Sequence, residues 1–503
     1  MDRRNFISSS TLLLGAMAVA GCNIGQNKSK PKSKKNQLPN IVFILADDMG
    51  YGDIQAYNPE SKIPTPHLNH LASQGVHFTD AHSGSAVCSP TRYGLLTGRY
   101  CWRTELKNGV LWPPNDKPLI GPGRLTVAGL LKQQGYHTAC IGKWHLGMDW
   151  GLDENGNVDF NRHLRYGPTD VGFDEFFGIA GSLDMIPYVF YRNHKPSAPV
   201  TDTQAGLPFP KFIREGPRSM DFDPEKVLNR LTEQAIDYID RRDAEMNPFF
   251  LYLPLTAPHK PVWPSENFRG KTDLGPYGDF IHQTDDSVGR VLQALEDNGI
   301  ADNTLVIFSS DNGSYMYSRF EGTEDHVTDS KIQAYHPSNH KANADWRGTK
   351  ADIWEAGHRI PFIVRWPGKV ESEIRCDETI CLTDFMATCA AVTGFSPPKN
   401  AGEDSFSLLP LFEGKDWTVP RAPVIHHSSS GMFSLREGKW KMVFGSGSGG
   451  REKPVGKPFE EPYFLFDLES DPSEKENVID SYPEVARHMT EKLKILMDSG
   501  RSR

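Results

Sequence analysis

Ile41-Val42-Phe43-Ile44-Leu45-Ala46-Asp47-Asp48 is a run of six apolar residues that stops on two carboxylates, and Leu305-Val306-Ile307-Phe308-Ser309-Ser310-Asp311-Asn312-Gly313 follows the same design further along. Such runs are short, rich in β-branched and aromatic residues, and lack polar alternation, which is the pattern of strands buried on both faces of a sheet. Residues 137–141 and 249–253 carry two more of them. Between these runs lie 126–134, 224–241 and 278–298, whose apolar positions recur near a period of 3.6 and predict helices. The alternation predicts an α/β fold: a large mixed, mostly parallel sheet sandwiched by helices.

The remainder of the chain reads differently. After one more helix at 383–392, the Pro- and Gly-containing stretch 394–415 leads to short strand patterns at 424–427, 432–436, 440–444 and 463–467 and a closing helix at 482–496. These predict a small antiparallel C-terminal subdomain with a helix. The Gly- and Ser-rich patch 445–450 reads as a mobile loop.

The chain has 503 residues, 38% of them hydrophobic, enough to bury a sizeable core. Its formal charge of -9 and pI near 6.0 exclude the basic surface that a nucleic-acid partner requires. At the N-terminus, Arg3 and Arg4 precede an apolar stretch at 11–20 and then Val19-Ala20-Gly21-Cys22. This is the layout of an export signal, too short to span a membrane, and a polar, lysine-rich tether follows at 23–37. Val19-Ala20-Gly21-Cys22 resembles the lipobox of bacterial lipoproteins, and the arginine pair before Asn5-Phe6-Ile7 resembles a twin-arginine signal. The expected mature protein is a periplasmic or cell-surface lipoprotein, anchored through a lipid on Cys22. Setting aside Cys22 and Cys88 leaves five of the seven cysteines, an odd number without a C-x-x-C pair, so no disulfide set follows and a thiolate zinc site is not expected.

In open α/β sheets, ligands gather beyond the carboxyl ends of the strands. Asp47, Asp48 and Asp311 with the Asn312 amide would repel one another there unless a cation sat among them, and an all-oxygen donor set suits Ca²⁺ or Mg²⁺. Cys88-Ser89-Pro90-Thr91-Arg92 opens a predicted helix whose N-terminus favours an anion. A thiolate is a poor ligand for a hard cation, so the position of Cys88 points to a modified residue.

Cys88-Ser89-Pro90-Thr91-Arg92, followed by Tyr93-Gly94-Leu95-Leu96-Thr97-Gly98-Arg99, resembles the signature of the type I, formylglycine-dependent sulfatases of the alkaline-phosphatase-like superfamily. Asp47-Asp48-Met49-Gly50-Tyr51-Gly52-Asp53, Gly142-Lys143-Trp144-His145-Leu146-Gly147, Pro258-His259, Ser309-Ser310-Asp311-Asn312-Gly313 and Trp346-Arg347-Gly348-Thr349-Lys350 follow in the order that family uses. The resemblance covers residues 38–503. It implies a catalytic domain at 38–418 and a C-terminal subdomain at 419–503, after a signal at 1–22 and a linker at 23–37.

The resemblance further implies that a maturation enzyme oxidises Cys88 to formylglycine (3-oxoalanine), whose hydrated aldehyde is the nucleophile. Asp47, Asp48, Asp311, Asn312 and the modified Cys88 would hold one Ca²⁺, and Arg92 would fix the formylglycine. Lys143 and Lys350 would bind sulfate oxygens and stabilise charge developing in the transition state. His259 would protonate the leaving alcohol, and His145 would take the proton that lets the covalent sulfate intermediate collapse. Ser182, in Gly178-Ile179-Ala180-Gly181-Ser182, lies where family members place a sulfate contact. The segment Arg347-Gly348-Thr349-Lys350 departs from the family's usual glycine pair, while Lys350, Glu355 and Arg359 keep their positions. Residues 184–221 and 314–345, polar and longer than a core requires, are expected to wall the substrate pocket.

The expected activity is hydrolysis of a sulfate ester, with a sulfated carbohydrate as substrate. Two other functions are weighed against it: a phosphatase or phosphonate monoester hydrolase of the same superfamily, and a lipoprotein that binds sulfated glycans without turnover. A cysteine in the maturation motif, and Asn312 after Asp311, argue for one hard ion and against a two-zinc site. A complete catalytic constellation argues against mere binding.

Overall fold

A computed structural model describes residues 38–242, 246–316 and 339–503. The expected signal, lipobox and linker at 1–37 lie outside the described residues, as do 317–338 of the expected pocket wall.

Strand Asn40–Asp47 is the centre of the molecule. It pairs in parallel with Phe249–Pro258 on one side and with Thr304–Ser310 on the other. His137–Lys143 and Glu175–Ile179 extend the first side in parallel. Phe362–Arg365 joins the other side antiparallel. With short edge strands the sheet has ten strands, mixed but parallel at its core, as the α/β reading expects.

Alternation along the strands splits the interior into two cores. Ile41, Phe43, Leu45, Phe250, Tyr252, Leu305 and Ile307 point to one face, where they pack with residues of the helices Cys88–Thr97, Val127–Gln133 and Phe385–Thr393. Val42, Ile44, Phe249, Leu251, Val306 and Phe308 point to the other, against Pro66–Ser73, Val227–Asp240 and Gly275–Asp297. A strand covered on both faces needs apolar residues at successive positions, hence the unbroken runs in the sequence. Each fully buried Leu, Ile or Phe contributes about 1.5–3 kcal/mol, so these strands form a stiff platform under whatever their carboxyl ends carry.

Beyond the main sheet, Val424–His427, Phe433–Glu437, Trp440–Phe444 and Phe464–Asp467 form a four-stranded antiparallel sheet. The closing helix Pro483–Asp498 lays Met489, Leu493 and Leu496 on it, and Tyr100 and Trp102 pack from the catalytic side. Residues Leu38–Arg503 thus cluster as one unit.

Three readings need correction. Residues 445–450 are packed: Ser448 is fully buried, its carbonyl accepts from the Ile353 amide at 2.8 Å, and a Cβ on Gly447 would meet the Pro454 carbonyl oxygen at 2.1 Å. Small residues serve close backbone approach here, not mobility. The helix expected to start at Pro90 begins at Cys88, placing the cysteine in its first turn. The strand Glu175–Ile179, absent from the sequence reading, carries the loop that leads to Ser182.

Candidate active site

Register brings the two acidic strand ends together. Ala46 lies opposite Ser310, so Asp47 and Asp48 emerge beside Asp311 and Asn312. The Asp48 amide donates to Asp311 Oδ1 at 3.2 Å, Asn312 Nδ2 donates to Asp48 Oδ1 at 2.7 Å, and all four side chains are essentially without solvent contact. Asp48 sits at a φ of 69°, a conformation costly for a side-chain-bearing residue and characteristic of sites where position outweighs stability. After Asn312, a Cβ on Gly313 would stand 1.7 Å from the Ala356 carbonyl oxygen, so only glycine permits the turn.

Three buried cations face these three carboxylates. Lys143 Nζ lies 2.6 Å from Asp47 Oδ2, Lys350 Nζ 2.5 Å from Asp48 Oδ1, and Arg92 Nη2 2.7 Å from Asp311 Oδ2. Burial alone would raise the Asp48 carboxyl, but Lys350 and His259 hold it well below the usual carboxylate range. Burial and the neighbouring Asp47 push the Asp311 carboxyl up, against Arg92 and Lys143. Arg92 therefore braces Asp311, and its Nη1 donates to the Lys143 carbonyl at 3.1 Å, tying the helix that begins at Cys88 to the strand His137–Lys143.

Cys88 is the first residue of its helix, with Val87 extended before it. Its Sγ lies 3.5 Å from Lys350 Nζ. Burial pushes the thiol up to about 11 despite Lys143 and Lys350. An unmodified Cys88 is thus a neutral thiol at ordinary pH, a weak nucleophile.

The two histidines flank this centre. His145, at a φ of 55°, donates its amide to the Ala180 carbonyl at 2.9 Å. Its Nε2 is 2.9 Å from the Leu111 carbonyl and therefore carries the proton, so the buried Nδ1, without a hydrogen-bond partner, is the unprotonated nitrogen. Burial, Lys143 and Arg92 keep the ring neutral. His259 has Nδ1 at 2.6 Å from the Lys260 carbonyl and Nε2 at 3.7 Å from Asp48 Oδ2. Burial, with Lys350 and Lys143, lowers it to about 3 against the opposing pull of Asp48 and Asp184.

Several buried polar atoms around the centre accept or donate no hydrogen bond: Asp47 Oδ1, which has only the Arg92 guanidinium at 3.6 Å, Asn312 Oδ1, His145 Nδ1 and Ser182 Oγ. Leaving such an atom unmet costs about 1–3 kcal/mol. Asp47 Oδ1 and Asn312 Oδ1 are hard oxygen donors, and ligand atoms of Asp47, Asp48, Cys88 and His259 lie within 4.8 Å of one another. The oxygens of Asp47, Asp48 and Asn312 fit a hard divalent cation; the Cys88 thiol beside them does not.

Sequence reasoning took Asp184 only as the start of an expected pocket wall and gave it no role of its own. It is 2% exposed, its Oδ2 accepts from Arg214 Nη1 at 2.7 Å, and its charge acts on His259. Its only signal is an acid two residues beyond Ser182, in a loop after a strand too short to stand out. Asp53, within the first acidic motif, is no part of the ring: its Oδ2 accepts from Tyr277 Oη at 2.6 Å and the Gly50 amide at 2.8 Å, anchoring the loop behind the site.

Residues 39–395 match the sulfatase family model. The chain belongs to the sulfatase family. This sulfatase is a sulfuric ester hydrolase, and it is 34% identical to the N-acetylgalactosamine-6-O-sulfatase of Bacteroides thetaiotaomicron over 96% of its own length and 97% of that protein's. It is 30% identical to the N-acetylgalactosamine-6-sulfatase of Homo sapiens, covering 81% of this chain and 72% of the human one. A structure solved in work on glycosaminoglycan metabolism by Bacteroides thetaiotaomicron superposes with a TM-score of 0.80 at 32% identity, over 92% of the sulfatase and all of the other chain.

A second convergence in the sulfatase, His82, His358 and His426, has a different character. The His358 and His426 rings stack 3.8 Å apart and only 6° from parallel, so their lone pairs lie in separate planes and cannot meet on one ion. The Lys441 ammonium also occupies His358 Nε2, at 3.1 Å. With Asp80, Arg359 and Glu355, these groups form a buried polar seam between the two sheets.

Proposed function

We propose that this sulfatase is a calcium-requiring, formylglycine-dependent enzyme that releases the 6-O-sulfate of an N-acetylgalactosamine unit in a sulfated glycan. The observation that carries the mechanism is the meeting of Cys88, Lys143 and Lys350 at a ring of hard oxygen donors, two of them without a hydrogen bond. The regiochemistry and the sugar rest on the two N-acetylgalactosamine-6-sulfatase relatives, at 34% and 30% identity.

Asp47, Asp48, Asp311 and Asn312 would hold the calcium together with the modified Cys88. Formylglycine would supply a hydrated aldehyde, an oxygen nucleophile with a second hydroxyl for release. The chain's own residues do the rest. Once the carboxylates have another cation to face, Lys143 and Lys350 are free to turn their ammonium groups to the sulfate oxygens, where they stabilise charge that grows as sulfur is attacked. Arg92 stays on Asp311 and fixes the start of the nucleophile helix.

His259 carries its outer nitrogen, Nε2, toward the reacting centre, and the Lys260 carbonyl keeps a proton on Nδ1. A bound sulfate ester adds negative charge beside it and so raises its proton affinity from the depressed value, which lets Nε2 carry a proton to the departing sugar oxygen. His145, neutral and with Nδ1 free, accepts a proton from the nucleophile side in the release step. Ser182, its Oγ unpartnered in the loop against which His145 is hydrogen-bonded, is a further sulfate contact.

The test uses the full chain from a host able to mature sulfatases. Peptide mass spectrometry should show the aldehyde in place of the Cys88 thiol, with sulfate released from 6-O-sulfated N-acetylgalactosamine and lost in Cys88→Ala. An active protein that still carries the thiol would overturn the nucleophile, and release only from another ring position would overturn the regiochemistry. The lipobox at Cys22 further supports export and lipid anchoring, which labelling with a radioactive fatty acid in wild type and Cys22→Ala would check.

A further inference from the structure

Arg347-Gly348-Thr349-Lys350, the segment that departs from the family's usual glycine pair, is pinned from several sides. Thr349 Oγ1 donates to the Ser314 carbonyl at 2.5 Å, and the Lys350 amide donates to the same carbonyl at 3.1 Å. The next residue, Ala351, has a φ of 83°, a left-handed conformation costly for a residue with a Cβ. Its amide donates at 2.9 Å to the carbonyl of Ala86, two residues before Cys88, and its own carbonyl accepts from the Ser429 amide at 3.0 Å. A strained backbone of this kind persists only where its surroundings fix it.

Asp352 supplies much of that fixing. It is fully buried, its Oδ2 accepts from the Thr349 amide at 2.9 Å, and its Oδ1 accepts from the amides of Arg451 at 2.5 Å and Glu452 at 3.0 Å. Burial pushes its carboxyl up to about 6 against these three amides, so at neutral pH it is ionised and both oxygens can only accept. Arg451 and Glu452 lie in the loop between Trp440–Phe444 and Phe464–Asp467 of the small sheet. The same loop takes the Ile353 amide on the Ser448 carbonyl at 2.8 Å. At Gly450 it comes so close that a Cβ would stand 2.4 Å from the Ala351 carbonyl oxygen and 2.5 Å from Asp352 Oδ1.

The residue held between these contacts is Lys350, whose Nζ lies 2.5 Å from Asp48 Oδ1 and 3.5 Å from Cys88 Sγ. A lysine ammonium is placed only as accurately as the backbone that carries it, and a misplacement of about 1 Å can cost about a hundredfold in rate. We propose that Asp352 is a positioning residue for sulfate-ester hydrolysis: it ties the backbone around Lys350 to the loop at 448–452 and so sets where the Lys350 ammonium meets the sulfate. The inference rests on the reading of Lys350 as a sulfate ligand given above. It makes a loop of the small sheet a working part of the active site.

The test is a double-variant cycle on the full chain, matured and calcium-loaded. Asp352→Asn keeps the size of the side chain but turns one acceptor into a donor, which must then face one of the three amides. Wild type, Asp352→Asn, Lys350→Ala and the double variant are compared by kcat/KM on 4-nitrophenyl sulfate and by the affinity for inorganic sulfate in calorimetry, which needs no turnover. Asp352→Asn should lower kcat/KM on the order of a hundredfold and weaken sulfate binding, and Lys350→Ala should cost at least as much. In the Lys350→Ala background, Asp352→Asn should cost no more than about twofold in either readout, because the residue through which it acts is already gone. A merely structural residue would cost the same factor in both backgrounds. That result, or a folded Asp352→Asn with wild-type kcat/KM and sulfate affinity, would overturn the inference.

Failure of the reading beneath it would show separately, as a Lys350→Ala variant that keeps wild-type rate and sulfate affinity, and the positioning role would fall with it. Should Asp352→Asn not fold by circular dichroism, Gly450→Ala takes its place in the cycle. That substitution keeps the carboxylate and presses on it from the loop, and the same outcomes decide.

Discussion

Lys143 Nζ lies 2.6 Å from Asp47 Oδ2 with both side chains fully buried, so a cation proposed for the sulfate is held by an acid proposed for the metal. Lys350 and Asp48 repeat the arrangement. Calcium would compete with the lysines for these acids, and sulfate would compete with the acids for the lysines. Each therefore makes room for the other, and their binding must be coupled, with equal coupling in either direction.

We therefore expect calcium to raise Tm, by the equivalent of about 2.7 kcal/mol at a hundredfold excess over its Kd. Sulfate added alone should do little. Calorimetric titration of calcium with and without sulfate checks the coupling, and a calcium affinity unmoved by saturating sulfate would contradict it.

His259→Ala should depend on the leaving group. A sugar alkoxide needs a proton as it departs, so loss of the acid should cost about 10²–10⁴ in kcat on the glycan. A nitrophenolate needs none, and its release should fall far less. Steady-state rates on both substrates, with equal losses as the contrary outcome, decide the role.

The acidic seam predicts a pH-dependent stability. Burial would raise the Asp80 carboxyl, but Arg359, His82 and Arg436 hold it well below the usual carboxylate range. A group whose pKa is lowered on folding contributes stability above its unfolded value, near 3.8, and that contribution is lost as pH falls below it. Asp80→Asn should cost about 3–5 kcal/mol at neutral pH by stranding buried cations. The gap in Tm between variant and wild type should narrow as the pH is lowered below about 4, where Asp80 of the unfolded chain takes up a proton while the native carboxyl stays charged.

Gly313→Ala should separate the fold from the site. Its Cβ would collide with the Ala356 carbonyl, and backbone must shift on one side or the other. Overpacking of this kind costs about 1–3 kcal/mol. Because Asn312 adjoins it, we expect weakened calcium binding beyond the loss of stability, measured as a higher calcium Kd in protein still folded by circular dichroism. An unchanged Kd would show that the turn absorbs the strain elsewhere.

The sequence by itself determined the doubly covered strands, because burial on two faces leaves an apolar residue at every position, and it determined the acids at their ends and the family signature that runs from Cys88 to Arg92. These signals are local. The strand Glu175–Ile179 and the packing of Ser448 left no such trace, since a short strand without an unbroken apolar run and a glycine-rich turn read alike as loop. Only the tertiary structure decided that Asp47 and Asp48 stand beside Asp311 and Asn312, because register between distant strands sets which ends coincide. It alone joined Lys143 to Asp47, Arg214 to Asp184, and Asp352 to the loop after Trp440–Phe444. Those contacts depend on where separate loops meet in space, and no spacing within any one segment encodes them.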